Sequence, residues 1–317
     1  MRQPAARLVD LGQLRGPDLE PVLEAQRAHW RKRLAWDNRD ATDAIRRLLN
    51  QRCLAGLAVL VGGCPVGYSY FMLEGSKAVV GEVFLLPTQR APYLERMLLE
   101  MTVIMASRDS AVKRVEGQLA SLAAFPDVQI VVPGELQVYP RQLMIRESCE
   151  ALPGQGPVDP GMRFLPWTDS QLQPASELIA EAYVGHVDAN ITEQYRSVSG
   201  AKRFLEQTIN RGSSGRFLTS AGFVARQASS PRLRGICLGS MVGARVGHIT
   251  QLCVAPEWHG FGIGSELLRR AVDGFRRTGC DAVSLTVTAS NERAVQLYER
   301  AGFRSLASFP AFVWHRA

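Results

Sequence analysis

The segment Gly247-His-Ile-Thr-Gln-Leu-Cys-Val-Ala-Pro-Glu-Trp-His-Gly-Phe-Gly-Ile-Gly264 decides the reading of this chain. Its first eight residues have strand composition, and Pro256 ends regular pairing. Glycines at 260, 262 and 264 follow, and then Leu267, Leu268, Ala271, Val272 and Phe275 recur at helical spacing through about Arg277. A strand, a glycine-rich turn and a helix form an anion site. The free amides of the helix N-terminus point at a ligand, the helix dipole favours negative charge, and glycine lets the backbone approach a diphosphate closely. A dinucleotide fold would place an acidic residue at the end of the next strand, some 20 residues on. Here that strand, Ala282–Val287, runs into Thr288 and Ala289.

Downstream, Asn291, Ala294, Leu297-Tyr298-Glu299 and Gly302-Phe303 form a second patterned stretch, with a helix predicted over Glu292–Arg300 and Gly302 just past its end. Together the two stretches resemble the GNAT acetyltransferases. Ile249–Gly264 is similar to the family's strand and pyrophosphate loop, I-x-x-L-x-V-x-P-E-x-[QR]-G-x-G-[IL]-G, and Asn291–Phe303 to its N-x-x-A-x-x-x-Y-x-x-x-G-F signature. Two motifs in family order are far more specific than one short motif. The close resemblance covers about Gly247 to Phe303, and the layout extends it back to about Phe164.

The resemblance implies a mixed α/β fold, a mostly antiparallel twisted sheet flanked by helices, and acetyl-CoA as cosubstrate. Leu252, Cys253 and Val254 match the strand groups that pair with the pantetheine arm. His259, Gly260, Phe261, Gly262, Ile263, Gly264 and Ser265 match the loop whose amides hold the pyrophosphate. His259 departs from the usual Gln or Arg, giving the phosphates less electrostatic help than Arg. Asn291 matches an asparagine on the cofactor arm, and it also reads as a helix N-cap. Tyr298 matches the tyrosine that protonates the departing thiolate, although a core aromatic would carry the same pattern. His248 occupies the place where many members carry a glutamate base. It could accept a proton at neutral pH, or be a partly exposed strand residue. The acceptor side implied by the fold is Val184–Tyr195, where His186, Asp188 and Tyr195 are candidates for binding a small-molecule or peptide amine. Coenzyme-A-binding regulation or scaffolding without turnover is the other class of function.

The rest of the chain organises around that segment. Ala151–Gly161 holds three prolines and three glycines in eleven residues, a linker composition. It divides the 317 residues into 1–150, a linker at 151–162, and 163–317. Each half opens with two helical patterns (17–31 and 41–51; 170–183 and 201–211). Strand-like runs follow (56–61 and 66–73; 217–225 and 235–242). Gly81-Glu-Val-Phe-Leu-Leu86 echoes Gly247–Leu252 at an offset of 247 − 81 = 166, which predicts a duplication with Glu82 equivalent to His248. The first half has Thr88–Tyr93 where its loop belongs, without a glycine, so it reads as a GNAT-like domain that has lost cofactor binding. This tandem arrangement resembles mycothiol synthase in layout only.

Composition narrows the remaining classes. The net charge of +7 rests on arginines, with lysine only at 32, 77, 113 and 202. They are scattered along the chain, unlike the clustered, aromatic-interleaved patches of nucleic-acid binders. No apolar run is long enough to span a bilayer, and residues 1–4 lack an apolar leader. Six cysteines without metal-ligand spacing suit free thiols in a reducing cytoplasm, with no metal expected. Oligomeric state is not encoded in these features.

Overall fold

The computed structural model describes residues 6–150, 152, 159–210 and 214–317. Most of the expected linker, the chain start at 1–4 and the expected helix end at Arg211 lie outside the described residues. The chain forms two compact units. They do not divide at 151–162: the first comprises residues through Arg141 together with Ala307–Ala317, and the second is Gln142–Leu306.

In the first unit the strands are β1 (Ala6–Asp10), β2 (Ala55–Val61), β3 (Cys64–Glu74), β4 (Lys77–Leu85), β5 (Arg114–Gln118) and the first part of β6 (Gly134–Arg146). The helices are α1 (Gly16–Leu34), α2 (Arg39–Asn50) and α3 (Pro92–Ala106). Strands β1 to β4 pair antiparallel in sequence order, and β5 then joins β4 in parallel. Period-two alternation explains how the helices distribute. Ala58, Leu60, Tyr68 and Phe84 pack with Leu19, Leu23, Ile45 and Leu49 of α1 and α2, while Val59, Val66, Val83 and Leu85 pack with Leu94, Leu98 and Leu99 of α3.

The second unit contains β7 (Met162–Pro166), α4 (Leu172–Ala182), α5 (Val187–Ile191), α6 (Val198–Asn210), β8 (Arg216–Phe217), β9 (Phe223–Gln227), β10 (Leu233–Met241), β11 (Val246–Val254), α7 (Ile263–Arg277), β12 (Ala282–Thr288) and α8 (Glu292–Arg300). Its sheet order is β12-β11-β10-β9-β7, with short β8 beside β10. Only β11 and β12 run parallel among these registers. Helices α4 and α6 cover one face with Val224, Ile236 and Leu238, and α7 and α8 cover the other with Phe223, Cys237, Val283, Leu285 and Val287. Leu267, Leu268, Ala271, Val272 and Phe275 are all buried, as their spacing predicts. Each of the larger side chains among them contributes about 1.5–3 kcal/mol. The expected strand over 217–225 is instead β8, a 3-10 turn (Thr219–Ala221) and β9. That turn lies hard against α7: a Cβ at Gly274 would sit 2.0 Å from Ser220 O. The last strand, β13 (Arg304–Arg316), leaves the second unit at Leu306, and its Ala311–His315 pair antiparallel with β5.

The two units repeat one design, at a register that corrects the sequence alignment. In β3–β4, Tyr70 pairs with Glu82 and Phe71 with Val80, leaving Gly81 as a bulge. In β10–β11, Leu238 pairs with Gln251 and Gly239 with Ile249, leaving Thr250 as the bulge. Beyond each bulge comes a 3-10 turn opening at Pro87 or Pro256, and 256 − 87 = 169. The same offset carries Gly81 to Thr250 and Glu82 to Gln251. The counterpart of His248 is therefore Val79, not Glu82. The repeated phrase misleads because its two glycines answer different packing needs. A Cβ at Gly81 would meet the Tyr70 ring at 2.2 Å, and one at Gly247 would meet the Phe275 ring at 2.4 Å.

Candidate cofactor and acceptor site

The parallel ladder of β11 and β12 runs only from Val246↔Ala282 to Ile249↔Leu285. Beyond it β11 stays paired with β10 as far as Val254 but has parted from β12, so the two strands are splayed. The backbone edge of Leu252, Cys253 and Val254 thus borders the gap. The 3-10 turn Pro256–Trp258 then swings the chain to Gly260 and Gly262, whose φ values of +90° and +76° favour glycine. Gly262 caps α7, and its carbonyl accepts from Glu266 N at 3.0 Å. The amides of Ile263, Gly264 and Ser265 precede the first intrahelical bond and point out of the helix end. Gly264 has ordinary dihedrals, and a Cβ there would contact Val254 at 3.6 Å and Leu297 at 3.7 Å, filling the floor of this cradle. Outward amides, a dipole end and a floor without side chains fit a diphosphate.

Side chains brace the turn. His259 Nε2 lies 2.9 Å from Val254 O, and burial holds its pKa below the usual imidazole value, so it is a neutral donor tying the turn to the strand end. Its service to an anion is through its amide. Trp258 packs against Phe261, which is 54% exposed, and lies under the Arg234 guanidinium, which is paired with Glu257 at 2.8 Å.

On the opposite face of the sheet, the segment between α4 and α6 closes over the strand ends. Gln251, the first residue past the bulge, is buried and donates to Tyr183 Oη at 3.1 Å. Tyr183 stacks on Tyr195 with centroids 4.3 Å apart and meets the His186 ring edge-on at 5.0 Å. Burial, then the Tyr195, Cys253 and Asp188 charges, push the Tyr183 phenol well above its usual range. Thr288, the last residue of β12, donates to Asp188. His186 Nε2 lies 3.1 Å from Asn291 Nδ2, while Asn291 Oδ1 caps α8 by accepting from Ala294 N at 3.2 Å. The structure therefore brings His186, Asp188, Tyr195 and Asn291 together. It adds Tyr183, Gln251 and Thr288, which sequence reasoning missed. Gln251 carried a signal, as a polar residue amid the apolar end of a strand.

His248 is not the titrating group that its strand position suggests. It is 5% exposed, and its Nδ1 lies 2.9 Å from Ser284 Oγ, whose hydroxyl donates onward to Gly247 O at 3.2 Å. Burial depresses its pKa to about 3, so it stays neutral and binds no proton near pH 7. Tyr298 lies at the edge of the α7–α8 core, 8% exposed, with its ring 6.0 Å from Phe303. Among the described residues no group of three or more His, Cys, Asp or Glu could hold a metal ion, and no helix is long and apolar enough to cross a membrane.

Residues 190–303 match the family model described as Acetyltransferase (GNAT) family. Over those residues the chain is similar to the GNAT acetyltransferases. The match contains the cradle, the splayed strands and both α7 and α8. An N-alpha-acetyltransferase MAK3 of Arabidopsis thaliana is 36% identical over 77 residues, 22% of this chain and 40% of that protein. A mycothiol acetyltransferase of Propionibacterium freudenreichii is 42% identical over 57 residues, 18% of each chain. The chain thus spans well under two thirds of these relatives. A tandem GNAT protein from the clavulanic acid biosynthesis pathway superposes over 98% of both chains with a TM-score of 0.62 at 14% identity, so the tandem GNAT fold extends across both units.

Proposed function

We propose that this chain is an acetyl-CoA-dependent N-acetyltransferase acting on a primary amine, with its active site in residues 163–317. One observation carries the reading. The strands β11 and β12 part beside a helix end whose outward amides are reached through two left-handed glycines. Bound there, the cosubstrate supplies an activated acetyl thioester. The chain's own residues do the rest. Amides from His259 to Ser265 hold the diphosphate, and the freed edge of Leu252–Val254 orients the pantetheine arm. Asn291 borders the arm, and Tyr298 donates a proton to the departing sulfur.

The first unit, in this reading, serves packing or acceptor choice. At the corrected register Ala91, Pro92 and Tyr93 stand where the second unit has Gly260, Phe261 and Gly262, so side chains and a proline replace bare amides. Its strand splay is filled: Trp30 Nε1 donates to Ser121 Oγ at 2.9 Å and to Glu82 at 3.1 Å, and Ser121 Oγ donates to Glu82 at 3.0 Å.

The neutral, buried His248 is the one observation favouring coenzyme A binding without turnover. A thiol-release assay with acetyl-CoA against peptides and small primary amines separates the two. Release that depends on an added amine, with one acetyl-CoA bound per chain by calorimetry, is expected. Binding without release across the panel would establish the regulatory reading, and no binding would sink both.

A further inference from the structure

We infer that the Phe261 side chain receives the adenine ring of the cosubstrate, and so selects coenzyme A thioesters over thioesters borne on a phosphopantetheine arm alone. This role rests on the acetyltransferase reading above. At the rim of the cradle a braced aromatic platform lies open to solvent. Arg234 is paired with Glu257 at 2.8 Å, and its guanidinium lies 5.5 Å from the centroid of the Trp258 ring. Trp258 closes the 3-10 turn after β11 and packs against both cores of its unit. The Phe261 ring rests against it, with centroids 5.7 Å apart and planes inclined by 56°. Among the described residues no other phenylalanine is as exposed as Phe261. A single exposed apolar side chain needs no ligand to explain it. This one is held by an anchored partner, on a loop whose amides flank the place assigned to a diphosphate.

Elimination along the loop leaves this side chain to meet the base. One phosphate of the pair continues into the pantetheine arm, which takes the splay beside Leu252–Val254. The other phosphate carries adenosine, which has to leave by the rim. Of the residues from 259 to 264, the glycines at 260, 262 and 264 have no side chain. His259 is turned back to Val254 O at 2.9 Å, and Ile263 is buried in the core. Phe261, between the two left-handed glycines, is what remains. A purine stacks on an aromatic face without needing a hydrogen bond, which suits a ring that has none to offer. The cavity beyond Ser265 is the competing place for the base. It is walled by Leu152, Leu297, Ala301 and the Glu266–Arg269 pair, and its lining includes no aromatic face.

The consequence is a choice between two kinds of acyl donor. A carrier protein presents the same pantetheine arm on a single phosphate, with no base attached. The strand edge at Leu252–Val254 serves what the two donors share, whereas the Phe261 ring serves what coenzyme A alone has. Trp258 acts through Phe261 as a positioning residue, because it fixes the ring that the base would meet.

The test uses the full chain and two ligands, coenzyme A and 4′-phosphopantetheine, the weaker one measured by displacement in a calorimeter. Phe261→Leu keeps an apolar side chain on the loop and removes the ring. It should weaken coenzyme A by about 5- to 100-fold, the factor that stacking one base on an aromatic ring is worth, and leave phosphopantetheine unchanged. Phe261→Trp should retain coenzyme A affinity. The indole placed at 261 should also lose fluorescence, relative to the wild type, when coenzyme A binds and keep it when phosphopantetheine binds. A residue that only shapes the loop would give no such difference. Equal weakening of both ligands by Phe261→Leu would overturn the assignment. Undiminished coenzyme A affinity in that variant would place the base elsewhere and overturn it too. Failure of the wild type to bind coenzyme A would instead sink the acetyltransferase reading, and this role with it.

Discussion

Replacing Gly262 by Asp and, separately, by Asn isolates the electrostatics of the cradle. Gly262 holds φ +76° at the N-cap of α7. Asn and Asp are the non-glycine residues that best tolerate left-handed backbone, so the two variants share a strain of about 1 kcal/mol and nearly the same shape. They differ in one negative charge at the place assigned to the diphosphate. Two unit charges about 4 Å apart interact by ~4 kcal/mol at an effective dielectric of about 20. Allowing for a longer separation and partial exposure, about 2–4 kcal/mol should separate the variants, or ~30- to 10³-fold in acetyl-CoA affinity. Calorimetry should therefore give a weakened but measurable Kd for Asn and no measurable binding for Asp. Salt should narrow the gap, since the Debye length falls to about 10 Å at 0.1 M. Urea midpoints should be similar for the two. Equal affinities for Asp and Asn, or wild-type binding by Asp, would refute the placement of the anion.

Three further outcomes follow from the site and the first unit. Tyr298→Phe should lower turnover by about 10²–10⁴-fold with little change in acetyl-CoA affinity, checked by thiol release alongside calorimetry; a silent mutation assigns proton delivery to another group. His248→Ala should leave the pH–rate profile unchanged yet cost about 1–3 kcal/mol in urea unfolding, because it opens a cavity and removes one of the two hydrogen bonds of buried Ser284. Loss of an activity limb near neutrality would reverse that assignment. Buried Glu82 has its pKa pushed up to about 7, chiefly by desolvation. The folded chain therefore holds a proton that the unfolded chain releases above about pH 4.5, so stability should fall as pH rises from 4.5 to 7, by up to about 3 kcal/mol. Urea titrations at pH 5 and 7.5, with Glu82→Gln as control, read this directly; no difference between the two proteins' pH dependence would refute it.

The sequence made the glycine turn and its helix legible because backbone demands there restrict residue choice: left-handed φ at 260 and 262, and an apolar stripe on α7. The Asn291 cap was legible for the same reason. The alignment of the halves was not, because a bulge shifts register by one residue without a compositional mark, and Gly81 and Gly247 look alike while serving different rings. The protonation of His248 depends on burial by residues distant in sequence, and so does the gathering of Tyr183, Gln251 and Thr288. Helix α5, five residues long, is too short for periodicity to register.

Strand β13 has a consequence for how the molecule is made. Its Phe312 and Trp314 are fully buried in the core shared with α3, and its ladder with β5 joins residues nearly 200 apart in the chain. A ribosome therefore completes every other strand and helix of both units before it delivers the piece that finishes the first. Until then β5 offers an unpaired edge, and the core lacks two of its largest side chains, each worth about 3–5 kcal/mol when truncated. The half synthesised first is the half that matures last, and a cut at residues 151–162 yields an N-terminal fragment that has lost its own closing strand.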